Sequence, residues 1–209
     1  MIETVEAFVR SKFQDDTTGH DWHHIFRVRK LALHIAKQED VDSLKVELIA
    51  LLHDVIDDKL ILDKDEAHQE VVSLLRNLGM QEKYIEDMIH IIENIGYKGG
   101  NGLDLQCMES RIVQDADRLD AIGAVGIART FMYSGAKSQA MYDPDIPVRD
   151  SMSYEQYRKE KSTAINHFHE KLFLLKETLH TKAAKEIAEE RHKYMENFVE
   201  QFMKEWNEI

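Results

Sequence analysis

The chain has 209 residues, 43% of them hydrophobic and 32% charged, which is enough for one compact domain with a buried core. Lys and Arg number 27 against 39 Asp and Glu, and the resulting net charge of −12 argues against non-specific binding to nucleic acid or to an anionic membrane. The one cysteine, Cys107, excludes an internal disulfide and suits a reducing, cytoplasmic setting. MIETVEAFVRSKF does not read as a signal peptide, and no run approaches the roughly 18 apolar residues of a membrane span.

Two prolines and nine glycines punctuate the chain, which favours helices. Residues 2–13 predict a first helix with Val5, Phe8, Val9 and Phe13 on one face, followed by a loop over 15–20. Asp21 is placed to cap a second helix that runs to about Lys37, with Val28, Leu31, Ala32 and Ile35 as its apolar stripe. A third helix spans about Ser43 to His53 and leaves irregularly through VIDDKLILD. Asp63 or Asp65 caps a fourth that ends at Gly79, and a fifth covers about 81–94. GYKGGNG (96–102) is a turn; without a strand before it and a helix after it, it is not a nucleotide P-loop.

A sixth helix is expected from about Met108 to Tyr133, its interior Gly123 and Gly126 marking close helix packing. Residues 134–152 read as a long loop, and helices follow at about 153–179 and 182–208. No stretch shows a strand period, so the class is all-α. The aromatic stripe Phe198, Phe202, Met203 and Trp206 suits core or dimer packing, whereas Tyr133, Tyr142 and Tyr154 around the long loop could border a flat ligand ring.

Three strings interrupt this apolar helical pattern with imidazoles and carboxylates: HDWHHIFRV (20–28), LLHDVIDD (51–58) and QDADRLDAIGA (114–124). Such groups are costly to bury without compensation, and a divalent cation would compensate His24, His53, Asp54 and Asp117 together. Each string alone is weak. A single helical histidine is more often a core or surface residue than a ligand. His53-Asp54 could be a helix end meeting water, and Asp117 could belong to a polar face with Arg118 as its ion-pair partner.

The order of the three strings resembles the HD-domain superfamily of metal-dependent phosphohydrolases, over about residues 20–130. The strings look most like small bacterial members similar to a deoxynucleoside triphosphate pyrophosphohydrolase. The resemblance implies an all-α HD-type helical bundle in which residues 1–209 form a single domain, with a metal-binding core at about 20–130 and a C-terminal helical extension at about 153–209. It implies that His24, His53, Asp54 and Asp117 ligate a divalent metal. A mixed N/O donor set suits Mn²⁺ foremost, with Mg²⁺, Fe²⁺, Co²⁺ or Ni²⁺ open, and suits zinc less well. It further maps an acidic pair that positions the attacking water onto Asp57 and Asp58. Extra histidines occur in two-metal relatives, but the spacing of His68 and His90 does not match them.

A site holding several carboxylates needs cations if it is to take an anionic substrate. Arg27, Lys59, Lys98 and Arg118 are the candidates, with His20 as a further phosphate contact or as a partner of His24. The reading is therefore a metal-dependent phosphohydrolase acting on a phosphorylated small molecule, a nucleotide by the resemblance. The resemblance points to cleavage of a (deoxy)nucleoside triphosphate to monophosphate and pyrophosphate, and neither a membrane nor nucleic acid is expected as partner. A homodimer is compatible with it. Phosphomonoesterase, phosphodiesterase, guanosine tetraphosphate hydrolase and a non-enzymatic nucleotide-binding regulatory module stay open as alternatives, because the same residues serve them all.

Overall fold

The structure is a computed structural model that describes residues 1–14, 19–57, 63–96, 105–149 and 162–207. Among the described residues it is all-α, as expected, and no helix there is long and apolar enough to cross a membrane. The chain divides into two compact units, Met1–Asp16 with His20–Ala116, and Thr17–Gly19 with Asp117–Ile209.

The first unit contains α1 (Ile2–Phe13), α2 (Trp22–Ala36), α3 (Ser43–Leu52), α4 (Lys64–Asn77), α5 (Glu82–Asn94) and most of α6 (Met108–Asp120). It is built around α3. The segment SLKVELIALL is apolar over most of its circumference, and Val46 and all five residues from Leu48 to Leu52 are buried. A helix of that kind needs neighbours on several sides. These are α1 with Val5 and Val9, α2 with Ile25, Val28, Ala32 and Ile35, and α5 with Ile85, Met88 and Ile92. Asp42 starts α3 by accepting the Leu44 and Lys45 backbone N–H groups at 3.0 and 3.1 Å. Of the two candidates for the α4 cap, Asp63 holds the position, accepting the Glu66 N–H at 3.0 Å. Beyond Leu52 the chain turns but stays inside, so that His53, Asp54, Val55 and Ile56 are all buried. The most enclosed helix of the unit thus delivers two polar side chains into the interior.

The second unit takes the last turn of α6 and adds α7 (Gly123–Ala136), α8 (Ala164–Glu170), a 3₁₀ helix (Leu172–Thr178) and α9 (Lys182–Asn207). The expected single helix from Met108 to Tyr133 is two helices. The Ala121 and Ile122 N–H groups bond back to residues 117–119, Ile122 then turns extended (φ −120°, ψ 166°), and Gly123 takes φ +77°. The apolar period runs through this break unchanged, which is why periodicity alone joins the two helices. Close packing does explain the glycines, in a different form from that expected. A Cβ on Gly123 would lie 2.9 Å from Arg191 Cγ of α9, and one on Gly126 only 2.2 Å from the Ala121 carbonyl oxygen. Arg191 also donates to the Leu119 carbonyl at 2.6 Å, and Arg129 to Asp120 at 2.8 Å, so both sides of the break are tied down.

Within the described residues, the part of the expected 153–179 helix from 162 on is α8 and the 3₁₀ helix, separated at Lys171 (φ −143°, ψ −59°); residues 150–161, with Tyr154, lie outside the described residues. The buried Glu170 carboxylate accepts Arg149 Nε at 2.8 Å, Nη2 at 2.6 Å and Ser162 Oγ at 2.9 Å, fastening the segment after α7 to α8. Phe198 and Phe202 of α9 pack with Phe131, and Tyr142 sits edge-on to Trp206 with ring centres 5.2 Å apart. Tyr142 is therefore spent on α9 packing in this structure.

Two glycines of α7 should respond with opposite signs. Gly126→Ala forces a side chain onto backbone and should destabilise by about 1–3 kcal/mol. Gly135→Ala, with nothing within 4 Å of the added Cβ, should stabilise by up to about 1 kcal/mol. Urea denaturation midpoints measure both.

Candidate metal centre

His24 lies on the first turn of α2, whose start is set by Asp21: its Oδ1 accepts the His24 N–H at 2.9 Å. His53 and Asp54 lie on the turn that ends α3. These elements bring three donors together in the first unit. The two Nε2 atoms of His24 and His53 are 3.3 Å apart. Asp54 Oδ2 is 3.2 Å from His24 Nε2, and its Oδ1 is 3.4 Å from His53 Nε2. His24, His53 and Asp54 are 0, 3 and 6% exposed.

The donors fit a cation. His53 Nδ1 is 2.8 Å from the Ala50 carbonyl, which can only accept. In the neutral ring Nδ1 then carries the proton and Nε2 the lone pair, the tautomer that a ligating imidazole needs. The separations of His24 Nε2 from His53 Nε2, 3.3 Å, and from Asp54 Oδ2, 3.2 Å, suit neighbouring donors on one ion with bonds of about 2.1 Å. The negative end of the α3 dipole lies at His53, which also favours positive charge there. Burial alone would raise the Asp54 pKa. The charges of His53 and His20 and the hydrogen bonds from His20 and His24 outweigh that, holding the carboxyl well below its ordinary range.

The other expected site residues are placed as follows. His20 puts Nδ1 2.9 Å from Asp54 Oδ2, with its ring edge-on to His24. Asp57 is half-buried one turn beyond Asp54, donating its N–H to the Asp54 carbonyl at 3.1 Å, and its carboxylate faces Gly96 just past the end of α5. Arg27 is half-buried on α2, three residues after His24. Asp117 is half-buried on the last turn of α6 and is the first residue of that helix in the second unit. Arg118 donates through Nη1 to the Thr178 carbonyl at 2.5 Å, so part of its fork serves the 3₁₀ helix. Asp58, Lys59 and Lys98 lie outside the described residues. His68 stands 3.5 Å from Glu93, apart from the three donors. Sequence reasoning missed the Ala50 carbonyl. A backbone acceptor three residues before a histidine leaves no mark in residue types.

Residues 21–122 match the family model described as the HD domain. The chain is 39% identical over 205 residues to the uncharacterised protein YpgQ of Bacillus subtilis, covering 97% of this chain and 92% of the relative. A crystal structure of that protein in complex with ADP matches 100% of this chain and 99% of its own, with a TM-score of 0.77 and 35% identity. A crystal structure of a Lactobacillus plantarum protein is similar with a TM-score of 0.90 and 39% identity, over 98% of this chain and 96% of its own. A third, of an HD-superfamily hydrolase from Bacillus thuringiensis, has a TM-score of 0.75 and 44% identity over 100 and 97% of the two chains. With the His24, His53 and Asp54 geometry in hand and relatives of this similarity along its whole length, the chain belongs to the HD-domain phosphohydrolase superfamily.

Proposed function

We propose that this protein is a divalent-metal-dependent phosphohydrolase that cleaves (deoxy)nucleoside triphosphates to the monophosphate and pyrophosphate. The observation that carries the metal reading is the convergence of the buried His24, His53 and Asp54, with His53 Nδ1 2.8 Å from the Ala50 carbonyl, a contact that favours the ligating tautomer. The nucleotide class is supported by the B. subtilis relative, which was crystallised with ADP. Asp117 is the fourth ligand by the family resemblance. The N/O donor set favours Mn²⁺, with Mg²⁺, Fe²⁺, Co²⁺ and Ni²⁺ compatible.

When bound, the ion supplies Lewis-acid polarisation of a phosphoryl oxygen. The chain's own residues do the rest. Asp57 or Asp58 aligns the attacking water and accepts its proton, a role that the half-buried side chain of Asp57 leaves open to it. Arg27 offers a planar fork to the phosphate charge that grows as the bond breaks. Lys59, Lys98 and Arg118 complete the neutralisation of the triphosphate.

Added Mn²⁺ should raise the thermal midpoint of the protein, and a chelator should reverse the shift without loss of helical circular dichroism. The apolar packing around α3 holds the first unit without an ion. In His53→Ala and Asp54→Ala the Mn²⁺-dependent shift should vanish; persistence of a full shift in both would refute the ligand assignment.

Asp57→Asn and Asp58→Asn should both retain metal binding, and the variant at the catalytic position should lose at least roughly 10²-fold in turnover. Near-normal rates in both would remove the acidic pair from the reaction.

Hydrolysis in ¹⁸O-water identifies the phosphorus attacked. Label in the nucleoside monophosphate is the expected result. Label in orthophosphate alone, or release of intact triphosphate, assigns a different bond to the same centre.

A further inference from the structure

His20 lies outside the three-donor set, yet it makes the shortest contact to the Asp54 carboxylate. Its Nδ1 is 2.9 Å from Asp54 Oδ2, the usual N–H···O distance, whereas the three donors themselves stand 3.2–3.4 Å apart. The ring is packed edge-on to His24, with centroids 5.4 Å apart, which restricts its rotation. The Asp54 side chain is only 8% exposed, against 28% for His20, so bulk water is a poor substitute for this hydrogen bond.

We infer that His20 is a positioning residue for the metal centre: its Nδ1–H holds the Asp54 carboxylate in the orientation that meets His24 and His53, rather than contacting the substrate. This rests on the reading of His24, His53 and Asp54 as metal ligands. The chemistry is that of an outer-shell partner. A carboxylate has four lone-pair directions, and one firm donor on Oδ2 selects the side-chain rotation that leaves the others for the ion. Without it, Asp54 must be oriented at the moment of binding, and that cost appears as weaker metal affinity. A neutral His20 that donates from Nδ1 retains an acceptor only at Nε2, across the ring from Asp54. The rival role is direct ligation, since the ligand atoms of His20, His24 and Asp54 lie within 4.8 Å of one another.

The test measures Mn²⁺ dissociation constants, by electron paramagnetic resonance of unbound Mn²⁺, for the wild type, His20→Ala and His20→Asn. Asparagine can place an amide N–H where Nδ1 stands but has no counterpart of Nε2. Expected are a loss of about 10–100-fold in affinity for His20→Ala and recovery of most of it in His20→Asn. At saturating Mn²⁺ the KM for a nucleoside triphosphate should be unchanged in both variants. Unchanged metal affinity in His20→Ala, or a raised KM with unchanged affinity, overturns the inference and returns His20 to the substrate. Failure of asparagine to restore affinity points to direct ligation and overturns it as well. On the wild type itself, ¹H–¹⁵N long-range correlation spectra of the zinc-loaded protein should show the Nδ1–H tautomer of His20. A metal-bound nitrogen shift on His20 would again contradict the inference, independently of how the variants fold. Absence of metal binding in the wild type refutes the ligand reading itself, a result distinct from wild-type affinity in His20→Ala.

Discussion

Helix α3 has little polar surface to offer water, so polar groups at its C-terminal end must be satisfied inside the protein. That constraint organises the first unit. His53 answers it with one ring nitrogen on the Ala50 carbonyl and the other turned toward His24 and Asp54. A buried carboxylate beside two imidazoles would be an expensive arrangement if packing were its only purpose. Here the same geometry presents lone pairs at separations that a single cation can satisfy. The packing that makes α3 the centre of the unit therefore also makes its end a place where charge must be compensated.

The second unit solves a different problem. Its aromatic residues, Phe131, Phe168, Phe198 and Phe202, form a continuous apolar cluster, and the polar groups around it act as ties. Arg191 holds the Leu119 carbonyl, Arg118 the Thr178 carbonyl and Arg149 the Glu170 carboxylate. Each uses a long side chain whose apolar stem packs while its head reaches a carbonyl or carboxylate. The break between α6 and α7 depends on one such stem: Arg191 passes where a Gly123 side chain would otherwise stand. Arginines that look like anion-binding candidates in the sequence can thus be engaged in holding turns. Arg118 is the instructive case, because its nearest neighbour in sequence is the carboxylate Asp117.

His20 shows the complementary situation. Its string, HDWHHIFRV, marks it as part of a functional motif without saying which partner it serves. A histidine four residues before a candidate ligand can face a phosphate, a neighbouring ring or a carboxylate from another helix. The last of these is a contact across 34 residues of chain, formed only because α2 and α3 pack side by side.

Much of this protein was legible in the order of its residues. The all-α class follows from helical periodicity and few breakers, and the Asp21 cap from a capping residue ahead of an apolar stripe. The three candidate donors stood out because imidazoles and carboxylates interrupt patterns that are otherwise buried. Periodicity measures which face is apolar. It is silent about backbone dihedrals, so it carried one helix through Ile122 and Gly123, where φ turns positive. Motif resemblance names residue types at fixed spacings, and hydrogen bonds to backbone carbonyls leave no trace in it. The tautomer of His53, the partner of His20 and the engagement of Arg118 were therefore decisions of tertiary structure. Each depends on which carbonyl or carboxylate the fold brings within about 3 Å of a side-chain nitrogen, a distance no local pattern encodes.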